Sequence, residues 1–188
     1  MNLTKSYITD TFWQLLEEKP YNKITVQDIV NRCQVNRNTF YYHFHDIPSL
    51  AQSSIEEWAD AAIKSKGVFG SPIHCLTYMA KECTKRKKAL LHLYNSTQKE
   101  SLLNHINALG YHIIQSYLDN TAEHLTLPKE DKEILIRYYK CSFIGILLDW
   151  LDADCSYDLA ETFTRLCDLF AGSSENVLLK CAISPDKN

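Results

Sequence analysis

Residues 25–44 read Thr-Val-Gln-Asp-Ile-Val-Asn-Arg-Cys-Gln-Val-Asn-Arg-Asn-Thr-Phe-Tyr-Tyr-His-Phe. Thr25 is a favourable N-cap, and Asp28 stands three places on, where a capping-box acid belongs. Val26, Ile29, Val30 and Cys33 then mark one face of a short helix. Gln34-Val35-Asn36 breaks that period. Asn36 is a second N-cap, and it opens a helix from Arg37 to Phe44 with Phe40 and Phe44 facing inward. Two short helices joined by a three-residue turn describe a helix-turn-helix. The inward phenylalanines turn Arg37, Asn38, Tyr41, Tyr42 and His43 to the outer side.

The flanks fit around this unit. Ile8, Phe12, Leu15 and Leu16 recur at i, i+4, i+7 and i+8, which gives a first helix that Lys19-Pro20 stops. Asp46 caps a fourth helix with Pro48 in its first turn, where a missing N–H costs little. That helix is expected to run to about Lys66 and to end at Gly67–Gly70. Ser71-Pro72 starts a fifth, and a basic run from Lys81 to Lys88 follows it. A short sixth segment holds Leu90, Leu91, Leu93 and Tyr94. Longer helices follow at about residues 98–120 and 129–151, and Ser156 is expected to cap a ninth over 157–171. No strand alternation and no repeat interrupts this pattern. The expected fold is all-α: a helix-turn-helix domain over 1–47, then a helical body over 48–188.

Composition agrees and narrows the class. The 188 residues are 45% hydrophobic and 23% charged, which excludes wholesale disorder, and only 5 Gly and 5 Pro favour long helices over many-stranded architectures. No apolar stretch behind a basic start suggests a secretory signal. The longest strongly apolar run, Phe143 to Leu148, is too short to span a bilayer. Seven Cys is an odd number without a Cys-x-x-Cys pair, so reduced thiols and a cytoplasmic setting are expected. Cys75 and Cys83 are i, i+8, and His105 and His112 are i, i+7. Neither spacing lets one helix grip an ion with two ligands, so no metal is expected. A Gly-rich phosphate loop, a nucleophile elbow and a paired-carboxylate arrangement are all missing, so neither an enzyme nor a cofactor is expected.

The outer face of the third helix is the chemically informative one. Arg37 can give a guanine a bidentate pair of hydrogen bonds, and Asn38 can pair with adenine. Tyr41, Tyr42 and His43 can donate to phosphate oxygens. Thr25 and the free N–H groups beside it form a phosphate site at a helix start, and Gln27 lies in the same turn. By residue type alone, a Tyr-Tyr pair on an amphipathic helix serves a core or an interface as readily as DNA. The formal charge of −3 gives no hint of a nucleic-acid partner. Residues 1–50 hold five Lys+Arg and five Asp+Glu, while Asp149, Asp152, Asp154, Asp158 and Glu161 concentrate negative charge far down the chain.

Residues 23–50 resemble the DNA-binding domain of the TetR family of bacterial transcriptional regulators. Thr39-Phe-Tyr-Tyr-His-Phe44, then Asp46 and Leu50, carry most of the likeness, with Thr25 and the Ile29-Val30 pair matching the family's second helix. The resemblance implies DNA contacts from Thr25, Gln27, Arg37, Asn38, Thr39, Tyr41, Tyr42 and His43, with Arg37 and Asn38 as base readers. Two positions depart from the family's pattern. Gln34 stands where Gly is usual, which would force a side chain into a left-handed conformation. Ile47 stands where Lys is frequent, which leaves one phosphate contact in doubt.

The resemblance further implies a ligand-sensing body whose last two helices pair across a two-fold axis. The eighth helix is apolar on nearly every side, so more than one partner must bury it. Phe143, Ile146 and Trp150, with Leu159, Phe163, Leu166 and Phe170 of the ninth, are the candidate interface; the alternative is that they only line the core of one chain. Trp58, Tyr78, Tyr94, Tyr111, His112 and Tyr138 are candidate pocket residues. The reading is a dimeric regulator, a repressor released by a small effector. The segment from Phe143 to Leu151, with Ser156-Tyr-Asp-Leu159, also resembles a TetR subgroup whose members include regulators of dihydroxyacetone kinase genes. That likeness keeps open an activator whose body docks a protein partner instead of a small ligand. The expected partners are an operator duplex, a second copy, and an effector or partner protein, with no membrane.

Overall fold

The computed structural model describes residues 3–64, 72–121 and 128–170. Among them are nine α-helices and no strand: α1 (Leu3–Glu18), α2 (Val26–Cys33), α3 (Arg37–His43), α4 (Ile47–Lys64), α5 (Pro72–Lys85), α6 (Lys87–Tyr94), α7 (Lys99–Thr121), α8 (Lys129–Asp152) and α9 (Leu159–Leu169). A short 3-10 turn, Tyr21–Lys23, follows Pro20. The expected break at Gly67–Gly70 lies outside the described residues.

The chain divides into two compact units, residues 1–61 with 85–106, and 62–84 with 107–188. The first unit takes in most of α4 and also α6. The buried face of α6, Ala89, Leu90 and Leu93, lies against α1. Three polar links add to it. Glu17 accepts from the Ala89 N–H at 3.3 Å, His92 Nδ1 meets the Leu16 carbonyl at 2.7 Å, and the Arg86 guanidinium lies 4.5 Å from the Trp13 ring centroid. Ile8, Phe12, Leu15 and Leu16 are buried as their spacing requires, with Ile29, Val30, Phe40, Phe44 and Leu50 around them.

The second unit is built on α5, the later part of α7, α8 and α9. Its core holds Met79, Ile113, Ile114, Phe143, Leu147, Trp150, Leu159 and Phe163. Gly110 lets three helices converge. A Cβ there would stand 3.3 Å from Lys140 Cγ and 3.7 Å from Met79 Cε. The α8–α9 turn departs from expectation. Asp154 and Cys155 both take left-handed backbone, and Asp158, not Ser156, caps α9 by accepting from the Glu161 N–H at 2.9 Å. The Trp150 indole donates to the Tyr157 carbonyl at 2.9 Å, and the Tyr157 hydroxyl reaches the Ile146 carbonyl at 3.1 Å and Asp149 at 3.0 Å. Partial burial, then the Asp149 carboxylate, pushes the Tyr157 phenol up to about 12.

Candidate nucleic-acid interface

Local capping fixes the helix-turn-helix. Thr25 Oγ1 accepts from the Asp28 N–H at 3.2 Å, and the Asp28 carboxylate takes the Thr25 N–H at 2.8 Å and the Thr25 hydroxyl at 2.7 Å. The Thr25 hydroxyl, followed by Lys19 at 2.9 Å and the Thr25 N–H, holds the Asp28 carboxyl down at about 2. Asn36 caps α3 by accepting from the Thr39 N–H at 2.8 Å. Asp46 caps α4 through Ser49, whose N–H donates at 2.8 Å. Each is an i to i+3 bond, so these starts are written in adjacent residues.

The turn between α2 and α3 depends on Gln34, which sits at φ 55° and ψ 36°. The left-handed conformation expected from the missing glycine is present. Its N–H donates to the Val30 carbonyl, and the Val35 N–H reaches the same oxygen at 3.1 Å. This arrangement ends α2 and redirects the chain into α3.

Phe40 is completely buried and Phe44 nearly so, with ring centroids 5.9 Å apart. That anchor turns α3 outward as its spacing requires. Arg37, Asn38, Tyr41 and Tyr42 are exposed, while Thr39 and His43 are half-buried. Tyr42 is 82% exposed, an unusual state for a large aromatic with no use for it on the surface. Tyr41 packs edge-on against Phe40 at 5.4 Å, and Tyr42 against His43 at 4.9 Å, so both phenols stand on supported rings.

Thr25 and Gln27 of the α2 start are exposed on the same unit. The Thr25 hydroxyl is already engaged by Asp28, so its donation to phosphate competes with the capping box. Gln27 is engaged too. Its carbonyl accepts from Arg37 Nε at 3.2 Å, and its amide donates to Asn31 Oδ1 at 2.6 Å. No short-range pattern announces the bond to Arg37, because it joins side chains ten positions apart.

Ile47 lies at the start of α4 and is half-buried, so this position supplies packing instead of a cation. His45 is exposed beside Asp46, Nδ1 to Oδ2 3.0 Å.

The candidate pocket residues divide between the two units. Trp58 and Tyr94 are buried in the first unit, Trp58 with its ring 6.1 Å from Trp13 and Tyr94 beneath Lys99 Nζ at 3.8 Å. In the second unit Tyr78 is half-buried, while Tyr111, His112 and Tyr138 are exposed. Aromatic content in helical patterns did not separate buried from exposed positions. The candidate interface residues also divide. Phe143, Trp150, Leu159 and Phe163 are buried inside a single chain, leaving only Ile146, Leu166 and Phe170 with exposed surface. The outward apolar side of α8 is instead carried by Ile134, Tyr138, Cys141 and Gly145, at i, i+4, i+7 and i+11. Among the described residues no cluster of His, Cys, Asp and Glu could hold a metal ion, and no helix is long and apolar enough to cross a membrane.

Comparison with known proteins agrees with the geometry. A sequence model of bacterial regulatory proteins of the tetR family matches residues 8–52, and one of a transcriptional regulator C-terminal region matches residues 71–172. The HTH-type transcriptional regulator YuxN of Bacillus subtilis (strain 168) is 25% identical over 190 residues, covering 97% of this chain. The chain spans only 56% of that relative's length. Among solved structures, the dihydroxyacetone kinase operon activator DhaS superposes with a TM-score of 0.79 at 13% identity, covering 94% of this chain and 98% of its own. The fatty acid degradation regulator FadR from Bacillus halodurans gives 0.68 at 18% identity, covering 92% and 96%. Both share the fold.

Proposed function

The chain belongs to the TetR family of bacterial transcriptional regulators, and from that premise we propose that it is a dimeric, sequence-specific DNA reader, not an enzyme, acting in the cytoplasm as a repressor released by a small effector. The observation that carries this reading is the outer face of α3. Four polar or aromatic side chains, Arg37, Asn38, Tyr41 and Tyr42, stand in solvent on a helix whose inner face is fixed by Phe40 and Phe44. In the major groove, Arg37 and Asn38 would meet base edges, and Tyr41, Tyr42, His43 and Thr39 would meet the phosphate backbone. Thr25 and Gln27 would approach the same strand from the start of α2.

Two copies are needed to read two half-sites one helical turn apart. The exposed α8 stripe of Ile134, Tyr138, Cys141 and Gly145 is the surface we assign to that pairing, with Ile146, Leu166 and Phe170 beside it. At Gly145 an added Cβ would have nothing within 4 Å, so a partner helix has room to approach. Effector release then requires a ligand with unequal affinity for two conformations of the dimer. A second reading, an activator docking a protein, draws on the fold shared with DhaS. It is distinguished by whether a protein or a small molecule changes DNA affinity.

The test uses a duplex carrying the DNA that flanks the chain's own coding region, titrated by fluorescence anisotropy. Tyr42→Ala and His43→Ala each remove one backbone contact and should weaken binding about ten- to hundred-fold, the value of one hydrogen bond to a charged oxygen. The oligomeric state should stay unchanged. Parental affinity in both variants would refute the assignment of this face.

A further inference from the structure

We infer that Asn31 is a positioning residue for base recognition, acting through Gln27 to fix the guanidinium of Arg37. This rests on the proposed role of Arg37 as a base reader. Arg37 is the first residue of α3, and a free arginine there would sample many rotamers before meeting a base edge. Two bonds restrain it. Arg37 Nε donates to Gln27 Oε1 at 3.2 Å, and Gln27 Nε2 donates to Asn31 Oδ1 at 2.6 Å.

The polarity of this relay follows from chemistry. An arginine nitrogen can only donate, so Gln27 must turn its carbonyl toward Arg37. Its amide nitrogen then faces Asn31, which must present its oxygen. Arg37 thus sets the polarity, since the opposite Gln27 orientation would present N–H to N–H there, and Asn31, by holding the Gln27 amide nitrogen, keeps that carbonyl aimed at arginine. Gln27 and Asn31 are i, i+4 on α2, neighbours on one helix face. Both are exposed, so the relay does no packing work in the core.

The relay also limits how Arg37 reads. With Nε engaged, the two terminal nitrogens remain for the bidentate approach to guanine O6 and N7. The end-on mode is therefore the one this site presents. Gln27, expected from the family resemblance to touch DNA itself, serves first as the link between α2 and the reading head.

The experiment is selection of bound duplexes from a randomised pool, followed by affinity measurements at several salt concentrations. Wild type, Arg37→Ala, Asn31→Ala and Asn31→Asp are compared. Wild type should enrich a sequence, and Arg37→Ala should lose preference at one base pair per half-site. Asn31→Ala should lower preference at that same pair about five-fold, with other positions and the salt slope unchanged. Asn31→Asp keeps the acceptor oxygen, so base preference should return even though its added charge lowers affinity for every sequence. A uniform loss of affinity with a smaller salt slope in Asn31→Ala would make Asn31 a phosphate contact and overturn the proposal. Unchanged preference would overturn it equally. If wild type enriches nothing, or Arg37→Ala keeps every preference, the reading of Arg37 itself fails, and the relay with it.

Discussion

Replacing Gln34 by glycine should stabilise this protein. Gln34 is a non-glycine residue at φ 55°, and its side chain is exposed. The substitution therefore removes no buried contact and acts through the backbone alone. An L-residue in the left-handed region is strained by about 1–2 kcal/mol. Glycine relieves that strain but adds about 0.5–1 kcal/mol of freedom to the unfolded chain. The net expectation is a gain of about 0.5–1 kcal/mol. For a chain of this size that gain corresponds to a rise in Tm of about 1–4 °C. Urea unfolding followed by tryptophan fluorescence suits the question, since Trp13 and Trp58 both lie in the unit that contains the turn. The midpoint should rise at unchanged slope. Gln34→Val provides the opposite arm, because a β-branched residue is poorly tolerated at positive φ and should lower the midpoint. If glycine gives no gain, or valine no loss, the backbone at residue 34 is not left-handed and the account of the turn is wrong.

Three further outcomes follow from particular contacts. Phe143→Ala should cost about 3–5 kcal/mol of stability, because Phe143 is fully buried beside Phe163 with ring centroids 5.4 Å apart. Tyr138→Glu, on the outward side of α8, should leave thermal stability of the single chain nearly intact but shift sedimentation toward monomer; a Tyr138→Glu dimer as tight as the parent would refute that surface. The Asp28 carboxyl is held down at about 2 by Thr25 and Lys19. Its contribution is therefore complete above the ordinary carboxylate range near 4 and is lost as pH falls toward 2, and Asp28→Asn should flatten that limb of a circular-dichroism acid titration. Lastly, residues 1–50 carry equal numbers of Lys+Arg and Asp+Glu, so log K should fall with log salt more gently than for a basic reader.

Much of the first unit was legible because its instructions are local. Thr25 with Asp28, Asn36 with Thr39, and Asp46 with Ser49 are bonds across three positions, and the anchors Phe40 and Phe44 are one helical turn apart. The third-helix face needed only that period. The second unit was less legible for a physical reason. When a helix is apolar on nearly every side, as α8 is, periodicity cannot say which apolar residues serve the core and which remain outside. Phe143 and Trp150 went to the core, and Ile134 and Tyr138 stayed at the surface. The start of α9 was misplaced because two left-handed residues, Asp154 and Cys155, extend the turn before Asp158 can cap. The packing of α6 on α1 and the relay from Asn31 to Arg37 join residues distant in sequence, and no short-range pattern announces either.

The central claim is that two copies of the α3 face read DNA by sequence. Enrichment of wild-type-bound duplexes from a randomised pool, read by sequencing, measures this most directly. The account predicts an inverted repeat whose half-sites lie about one helical turn, 10–10.5 base pairs, apart, with a preferred base pair in each half that Arg37→Ala abolishes. Recovery of an unenriched pool, or of a single site without a symmetric mate, would contradict it.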